Sequence, residues 1–336
     1  MLEMQSVAPQ STNRAGQPHQ GAGTLVAVVL NWNLTADTLA CVDSLLADGF
    51  QPAEIIVVDN GSSVGLDALA RNLAHGVGQL YLPHNLGFAG GNNAGIAAAL
   101  DAGAAWVLLL NNDTLVQPGA RAALLAAATH SDCALLSPMI LYADPPPRIW
   151  ALGDRRIGDT LLTRSLWRNR PPPNALPPLL PVDFLTACAL MVRADVFATI
   201  GVLDAGYFMY AEDADFCVRA AAAGYKLACA TNARILHKVS RSTGVTHPAA
   251  RRWRLHYQAR FYRLHAGLVQ RALLLMPYTF LRALMLALRD MAAGRLQTAT
   301  ATMSGWLRGW FGPLAPATRT LHAQSADAAS TRESPL

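Results

Sequence analysis

The sequence predicts an α/β protein: a doubly wound, mostly parallel sheet with helices on both faces, followed by a C-terminal helical amphipathic segment. Three observations predict it. Short, nearly continuous apolar runs alternate with helix-length segments between Thr24 and Leu141, the pattern of βαβ units whose strands are buried on both faces. Polar and glycine-rich clusters directly follow those runs, where open sheets of this kind bind ligands. After Arg251 the chain becomes basic and apolar together, as in helices that lie on a lipid surface.

The elements follow in order. Thr24–Leu30 reads as a first strand and Thr35–Ala47 as an amphipathic helix. Glu54–Val58 is a second buried run, Val64–Leu73 a helix, Gln79–Leu82 a third strand, Ala89–Ala102 a helix and Ala105–Leu110 a fourth strand. Tyr142–Pro181 carries too many prolines for helix interiors or central strands and reads as a long excursion holding one hairpin. Regularity returns with a strand at Phe184–Val192, a short helix at Asp195–Ile200, a helix over Ala211–Ala223 stopped by Gly224, and a strand end at Arg234–His237. Leu268–Leu288 is strongly apolar, but Arg271, Pro277 and Arg282 interrupt it. Amphipathic helices in the membrane interface fit better than a spanning segment, with Trp306, Trp310 and Phe311 as anchors; a helical layer packed on the body is the competing reading. The divisions expected are a disordered extension at 1–23, the α/β domain at 24–246, a membrane-associating helical region at 247–314 and a disordered tail at 315–336.

Composition narrows the class. Of 336 residues 52% are apolar and 15% charged, which suits a large core and excludes a disordered chain. The net charge of +5 hides a split: Lys238 to the end holds 14 basic and 3 acidic residues, and the preceding part 13 and 19. A basic segment among long apolar stretches favours anionic lipid over nucleic acid, and no nucleic-acid partner is expected. Five cysteines without a C-x-x-C pair point away from a disulfide framework and towards the cytosol. The first twenty residues have no apolar core and are not read as a secretory signal.

Five clusters and one histidine carry chemistry. Asn31-Trp32-Asn33 ends the first strand and Asp59-Asn60-Gly61-Ser62 the second; a carboxylate there accepts hydrogen bonds from a base or ribose, although an Asp-Asn pair also caps a following helix. Asn85-Leu86-Gly87 runs into Gly90-Gly91-Asn92-Asn93, where glycines allow close backbone approach to a ligand, but the G-x-G-x-x-G spacing of a dinucleotide loop is missing. The fourth strand delivers Asn111-Asn112-Asp113 to the sheet edge; a hard divalent cation needs only one or two protein carboxylates when substrate phosphates supply other oxygens. Tyr207-Phe208-Met209-Tyr210 precedes Glu212-Asp213-Ala214-Asp215: acids at a helix start suit the macrodipole, and beside aromatic rings they also suit a general base. His237 ends an apolar strand, before a basic, hydroxyl-rich loop to Gly244 able to close on a diphosphate.

Taken together and in this order, the five clusters resemble family 2 glycosyltransferases of the GT-A fold, in particular the rhamnosyltransferase-like branch. The resemblance runs from Leu25 to Gly244. It implies an inverting, metal-dependent hexosyltransferase using Mg2+ or Mn2+. Asp213 would be the catalytic base with Glu212 beside it, and Asp113 and His237 the metal ligands. Asn31, Trp32, Asp59, Asn85, Gly87, Asn92, Asn112 and Asp113 would bind the nucleotide-sugar. It also implies a nucleoside-diphosphate sugar donor, with dTDP-L-rhamnose as the sugar it points to, and a glycan or lipid-linked acceptor. The setting implied is O-antigen or other polysaccharide biosynthesis, with the protein cytoplasmic and peripherally held on the inner face of the cytoplasmic membrane. Two departures are Asn111 in place of the first acid of the Asp-x-Asp motif and Ala187 in place of a glycine. The alternatives are a sugar-phosphate nucleotidyltransferase, whose glycine-rich basic signature is missing after the first strand, and a non-catalytic membrane-associated adaptor with a transferase-like body.

Overall fold

The computed structural model describes residues 23–239 and 247–320. Residues 1–22 of the expected extension at 1–23, nearly all of the loop after Lys238, and residues 321–336 of the expected tail lie outside the described residues. Twelve strands are present: β1 Leu25–Asn31, β2 Ile55–Asp59, β3 Gly78–Tyr81, β4 Trp106–Asn111, β5 Thr114–Val116, β6 Cys133–Tyr142, β7 Ile149–Ala151, β8 Asp154–Arg156, β9 Thr163–Ser165, β10 Leu179–Pro181, β11 Ala189–Arg193 and β12 Lys226–His237. The helices are α1 Thr35–Ala47, α2 Leu66–Asn72, α3 Gly87–Asp101, α4 Ala120–Thr129, α5 Ala194–Ile200, α6 Glu212–Ala222, α7 Pro248–His265, α8 Leu268–Ala292 and α9 Leu296–Phe311.

The main sheet runs β10-β12-β6-β11-β4-β1-β2-β3. Its β3-β2-β1-β4 half is parallel, as the uninterrupted apolar runs require. Side chains alternate across it: Val26 and Val28 of β1 enter one core, while Leu25, Ala27 and Val29 enter the other. The first core is closed by α3, α5, α6, α7 and α9, and the second by α1, α2 and α4, so helices cover both faces. β11 departs from the parallel rule, running antiparallel to both β4 and β6. The proline-rich excursion contains the expected hairpin, β8–β9, and also contributes β7 and β10 to the main sheet.

The C-terminal helices pack on the body. Gly305 and Gly309 of α9 face α7 so closely that an added Cβ would lie 2.4 Å from the Arg252 carbonyl oxygen at the first and 2.7 Å from that of His256 at the second. Trp306 and Trp310 were expected as membrane anchors. They are buried instead, and both indole N–H groups donate to the Thr279 hydroxyl of α8, at 3.1 and 3.0 Å. A stripe of small and polar residues on α8 (Thr279, Ala283, Ala287, Asp290) provides the docking face, and this is why the indoles turn inward. Phe311, the third expected anchor, is exposed. The sequence reading placed 315–336 in a disordered tail, but residues 315–319 bond to the body. The Ala315 carbonyl accepts from Arg260 at 2.6 Å, and Thr318 N–H donates to Asp204 at 2.9 Å.

Replacing Thr279 with Val keeps the shape and removes the shared acceptor, leaving two buried indole donors unpaired. We expect a loss of about 1–3 kcal/mol in chemical denaturation; an unchanged midpoint would show that water replaces the hydroxyl.

Candidate functional site

The site lies at the carboxyl ends of β1, β2 and β4, where a parallel sheet leaves a crevice. A cavity of about 420 Å³ opens there. Among its lining residues are Trp32, Asn85, Gly87, Asn112, Asp113, Glu212, Asp213 and His237, so eight of the eleven residues singled out from the sequence meet in one space.

The other three, Asn31, Asp59 and Asn92, do not line it. Asp59 is 1% exposed, and both of its oxygens accept bonds from neighbours. Asn31 Nδ2 and Ser62 Oγ each donate to Oδ2 at 2.6 Å, and the Ser62 N–H donates to Oδ1 at 2.9 Å. Asn31 Oδ1 in turn accepts from Thr38 at 2.7 Å and from Asn112 at 3.3 Å. Asp59 and Asn31 therefore form a polar web beneath the floor that fixes Asn112 above it. The Asn92 amide donates to the Phe88 carbonyl one turn back at 2.9 Å and so stays within α3.

The glycine-rich turn joins the two halves of the site. Asn60 clamps it, donating to Asn85 Oδ1 at 3.0 Å and to the Gly87 carbonyl at 2.9 Å, while accepting from Leu86 N–H at 2.9 Å. Gly87 has φ +75°, and a Cβ there would lie 2.3 Å from the Phe208 carbonyl oxygen; only glycine satisfies both conditions. Phe88 N–H donates to that carbonyl at 2.6 Å, and Asn93 exchanges two hydrogen bonds with the Leu203 backbone at 2.8 and 3.1 Å. The segment so anchored leads through Tyr210 and Ala211, both left-handed with φ of 76° and 69°, into α6. Two consecutive non-glycine residues in that region cost of order 1–3 kcal/mol each, and they aim the first turn of α6 into the cavity.

That turn carries the acids. Asp213 is partly buried; it accepts from Ala214 N–H at 2.8 Å and from Ala187 N–H at 3.3 Å. Burial pushes its carboxyl above the ordinary range, against the pull of those bonds and of the Thr186 side chain. Ala187, the departure noted in the sequence, thus serves through its backbone. Glu212 is buried with Oε2 unpartnered; burial, then the neighbouring Asp213 charge, drives it well above the usual carboxylate range. Asp215 turns away from the cavity into an ion network with Arg219 at 2.7 Å and His265 at 2.7 Å.

Across the cavity, His237 Nε2 lies 3.1 Å from Asp113 Oδ1, with the Trp150 ring edge-on to the imidazole at 4.4 Å between centroids. His237 Nδ1 and Asn111 Oδ1 are buried without hydrogen-bond partners. One carboxylate, one imidazole and one amide oxygen fit an open divalent-cation site whose remaining ligands come from substrate; among the described residues no cluster of three His, Cys, Asp or Glu exists. Lys238, the first residue of the expected basic loop, instead pairs with Asp37 at 2.6 Å. Trp150, Arg168 and Arg254 also line the cavity. The sequence reading missed all three: Trp150 and Arg168 lie in the irregular excursion, and Arg254 lies in a helix that signalled only charge.

The raised Glu212 carboxyl has a stability consequence. Between its ordinary value and its folded one, the native state holds a proton the unfolded chain has lost, so stability falls as pH rises through that window. Glu212→Gln should raise the melting temperature at pH 8 and make no difference at pH 4. An equal effect at both pH values would show that the carboxyl is ionised without penalty.

The sequence model described as "Glycosyl transferase family 2" matches residues 27–201. N-acetylglucosaminyl-diphospho-decaprenol L-rhamnosyltransferase from Mycobacterium tuberculosis (strain H37Rv) is 31% identical over 214 residues, covering 58% of this chain and 69% of that protein. Galactofuranosyltransferase GlfT1 of the same strain is 31% identical over 222 residues, covering 64% and 70%. Among solved structures, GalNAc-T7 with UDP, GalNAc and Mn2+ superposes with a TM-score of 0.52 at 17% identity, over 71% of this chain and 50% of that one. Mannosyltransferase PcManGT from Pyrobaculum calidifontis, with GDP-Man and Mn2+, gives 0.50 at 12% identity over 90% and 91%. These two likenesses establish the GT-A fold. With the family match spanning more than half of its length, the chain belongs to glycosyl transferase family 2.

Proposed function

We propose that the protein is an inverting glycosyltransferase. It moves a sugar from a nucleoside-diphosphate donor to a lipid-linked or polysaccharide acceptor in bacterial cell-surface glycan synthesis. The observation that carries the reading is the convergence of Asp113, His237 and Asp213 on one cavity. The nucleotide-sugar would lie against Trp32, Asn85, Gly87, Asn112 and Asp113, with Asn31, Asp59 and Asn92 holding that wall from behind. The named activity of the M. tuberculosis rhamnosyltransferase supports L-rhamnose from dTDP-L-rhamnose as the donor sugar.

The acceptor hydroxyl oxygen attacks the anomeric carbon as the bond to the diphosphate breaks, and the diphosphate leaves with the electron pair. Asp213 takes the hydroxyl proton; its raised carboxyl makes it a stronger base than an ordinary aspartate. Asp113 and His237, with Asn111, would hold Mg2+ or Mn2+. Bound there, the cation supplies positive charge to the leaving diphosphate. Bound Mn2+ in both structural neighbours supports the choice of metal.

α8 supports attachment to the inner face of the cytoplasmic membrane. Its 25 residues are long and apolar enough to cross a bilayer, yet one stripe docks on the body while Leu273, Leu281, Met285 and Leu288 are exposed. A helix docked on one side and apolar on the other suits lying in the interface.

The test is a thermal-shift and slow-hydrolysis panel of nucleotide-sugars with Mg2+. One donor should stabilise the wild type in a metal-dependent way, and Asp113→Ala should abolish the shift. Asp213→Asn should keep the shift and lose transfer by about 10²–10⁴-fold. If no nucleotide-sugar stabilises the protein with metal present, the transferase reading fails and a membrane adaptor with a transferase-like body takes its place.

A further inference from the structure

A second cavity, of about 300 Å³, adjoins the first. The two share Trp150, Arg168, Tyr210, Asp213 and Arg254 in their walls, so Asp213 stands at the seam. The metal-fitting pair Asp113 and His237 lines only the first cavity, and Arg282 of α8 lines only the second. In an in-line displacement the attacking hydroxyl comes from the side opposite the leaving diphosphate, and the base stands beside it. The second cavity is therefore on the acceptor's side of Asp213.

Its wall carries more basic than acidic side chains. Three arginines, Arg168, Arg254 and Arg282, line it against two carboxylates, Asp154 and Asp213. Three arginines of the C-terminal half, Arg219, Arg260 and Arg295, each pair with an aspartate instead. Among the described residues, none of the three cavity arginines has an ion pair or a side-chain hydrogen bond; two of them lie over aromatic rings. Arg254 lies over Tyr210 at 4.8 Å and Arg168 over Trp150 at 5.5 Å. Stacking on a ring restrains the guanidinium plane and leaves its N–H edge free, the arrangement that suits bidentate phosphate recognition. Arg282 is flanked on α8 by exposed apolar side chains, Leu281 at 57% and Met285 at 64%. The cavity thus presents cations beside Asp213 and borders an apolar helix face beyond them.

We propose that this cavity receives the acceptor, and that Arg168, Arg254 and Arg282 bind a phosphate or diphosphate linking the acceptor's sugar to a lipid. The proposal rests on the reading of Asp213 as the base. A neutral glycan offers these three cations no anionic partner, whereas a lipid diphosphate places its anion on the arginines and its chain along α8.

The probe is farnesyl diphosphate, titrated by calorimetry in the presence of Mg2+ and saturating nucleoside diphosphate so that the donor cavity is filled. Farnesol and inorganic pyrophosphate are the controls. Farnesyl diphosphate should bind at least about tenfold tighter than either control, since each lacks one of the two complementary parts. Arg282→Ala should weaken it by about fivefold or more, Arg254→Ala/Arg282→Ala further, and Arg282→Lys should restore part of the loss. Farnesol binding should not change in any variant. Equal binding of farnesol, equal binding of pyrophosphate, or variants indistinguishable from wild type would each overturn the proposal. Nucleotide binding on the same samples reads the donor cavity separately: its absence would count against the transferase reading, and the prenyl diphosphate result would still decide this one.

Discussion

The backbone contact between Gly87 and Phe208 is the constraint on which the site depends. The first residue belongs to the turn entering α3, and the second lies more than a hundred residues later. The approach is too close for any Cβ, and the Phe88 N–H seals it with a hydrogen bond to the same carbonyl. Asn60 holds the turn from the β2 side, and Asn93 holds the Leu203 end of the later segment. Neither clamp touches the proposed reacting groups. Both set how far the first turn of α6 stands from Asp113, so the spacing between the proposed base and the proposed cation site is written in the backbone of two loops.

Buried polar groups here are either engaged or left unpartnered, and three of the unpartnered atoms gather at the site. Asp59, Asp204 and Asp215 are almost fully buried and fully engaged, with short bonds from Asn31, Ser62, Arg219, His265 and Arg260. Glu212 Oε2, His237 Nδ1 and Asn111 Oδ1 are equally buried and unpartnered. A folded protein rarely leaves such atoms unsatisfied without a use for them. All three of these residues line the same cavity, in keeping with the proposal that their partners arrive with substrate.

Much of this was legible in the sequence, and the limits have physical causes. The α1 boundaries, Thr35–Ala47, coincide with the amphipathic stretch because apolar periodicity sets a surface helix directly. The ends of β1, β2 and β4 announced the cavity because strand carboxyl ends gather polar residues there. The direction of β11 was not legible, because a buried apolar run looks the same whichever way it runs. Trp306 and Trp310 were misplaced because an amphipathic helix shows the same stripe whether protein or lipid covers it; only the Thr279 hydroxyl decides. Asp59 was placed at the right strand end, but the sequence could not show that Asn31 and Ser62 occupy its oxygens. Arg168 and Arg254 carried no signal, since the importance of a lone arginine depends on the ring beneath it.

The shared hydroxyl of Thr279 also gives the C-terminal layer a built-in optical reporter. Both indoles bonded to it are buried between α8 and α9, and burial of an indole away from water shifts its emission to the blue. Separation of α8 from the body, on a bilayer or otherwise, would wet both rings together and redden their emission in a single step. The docking state of the helix can thus be followed by its own light, without a label.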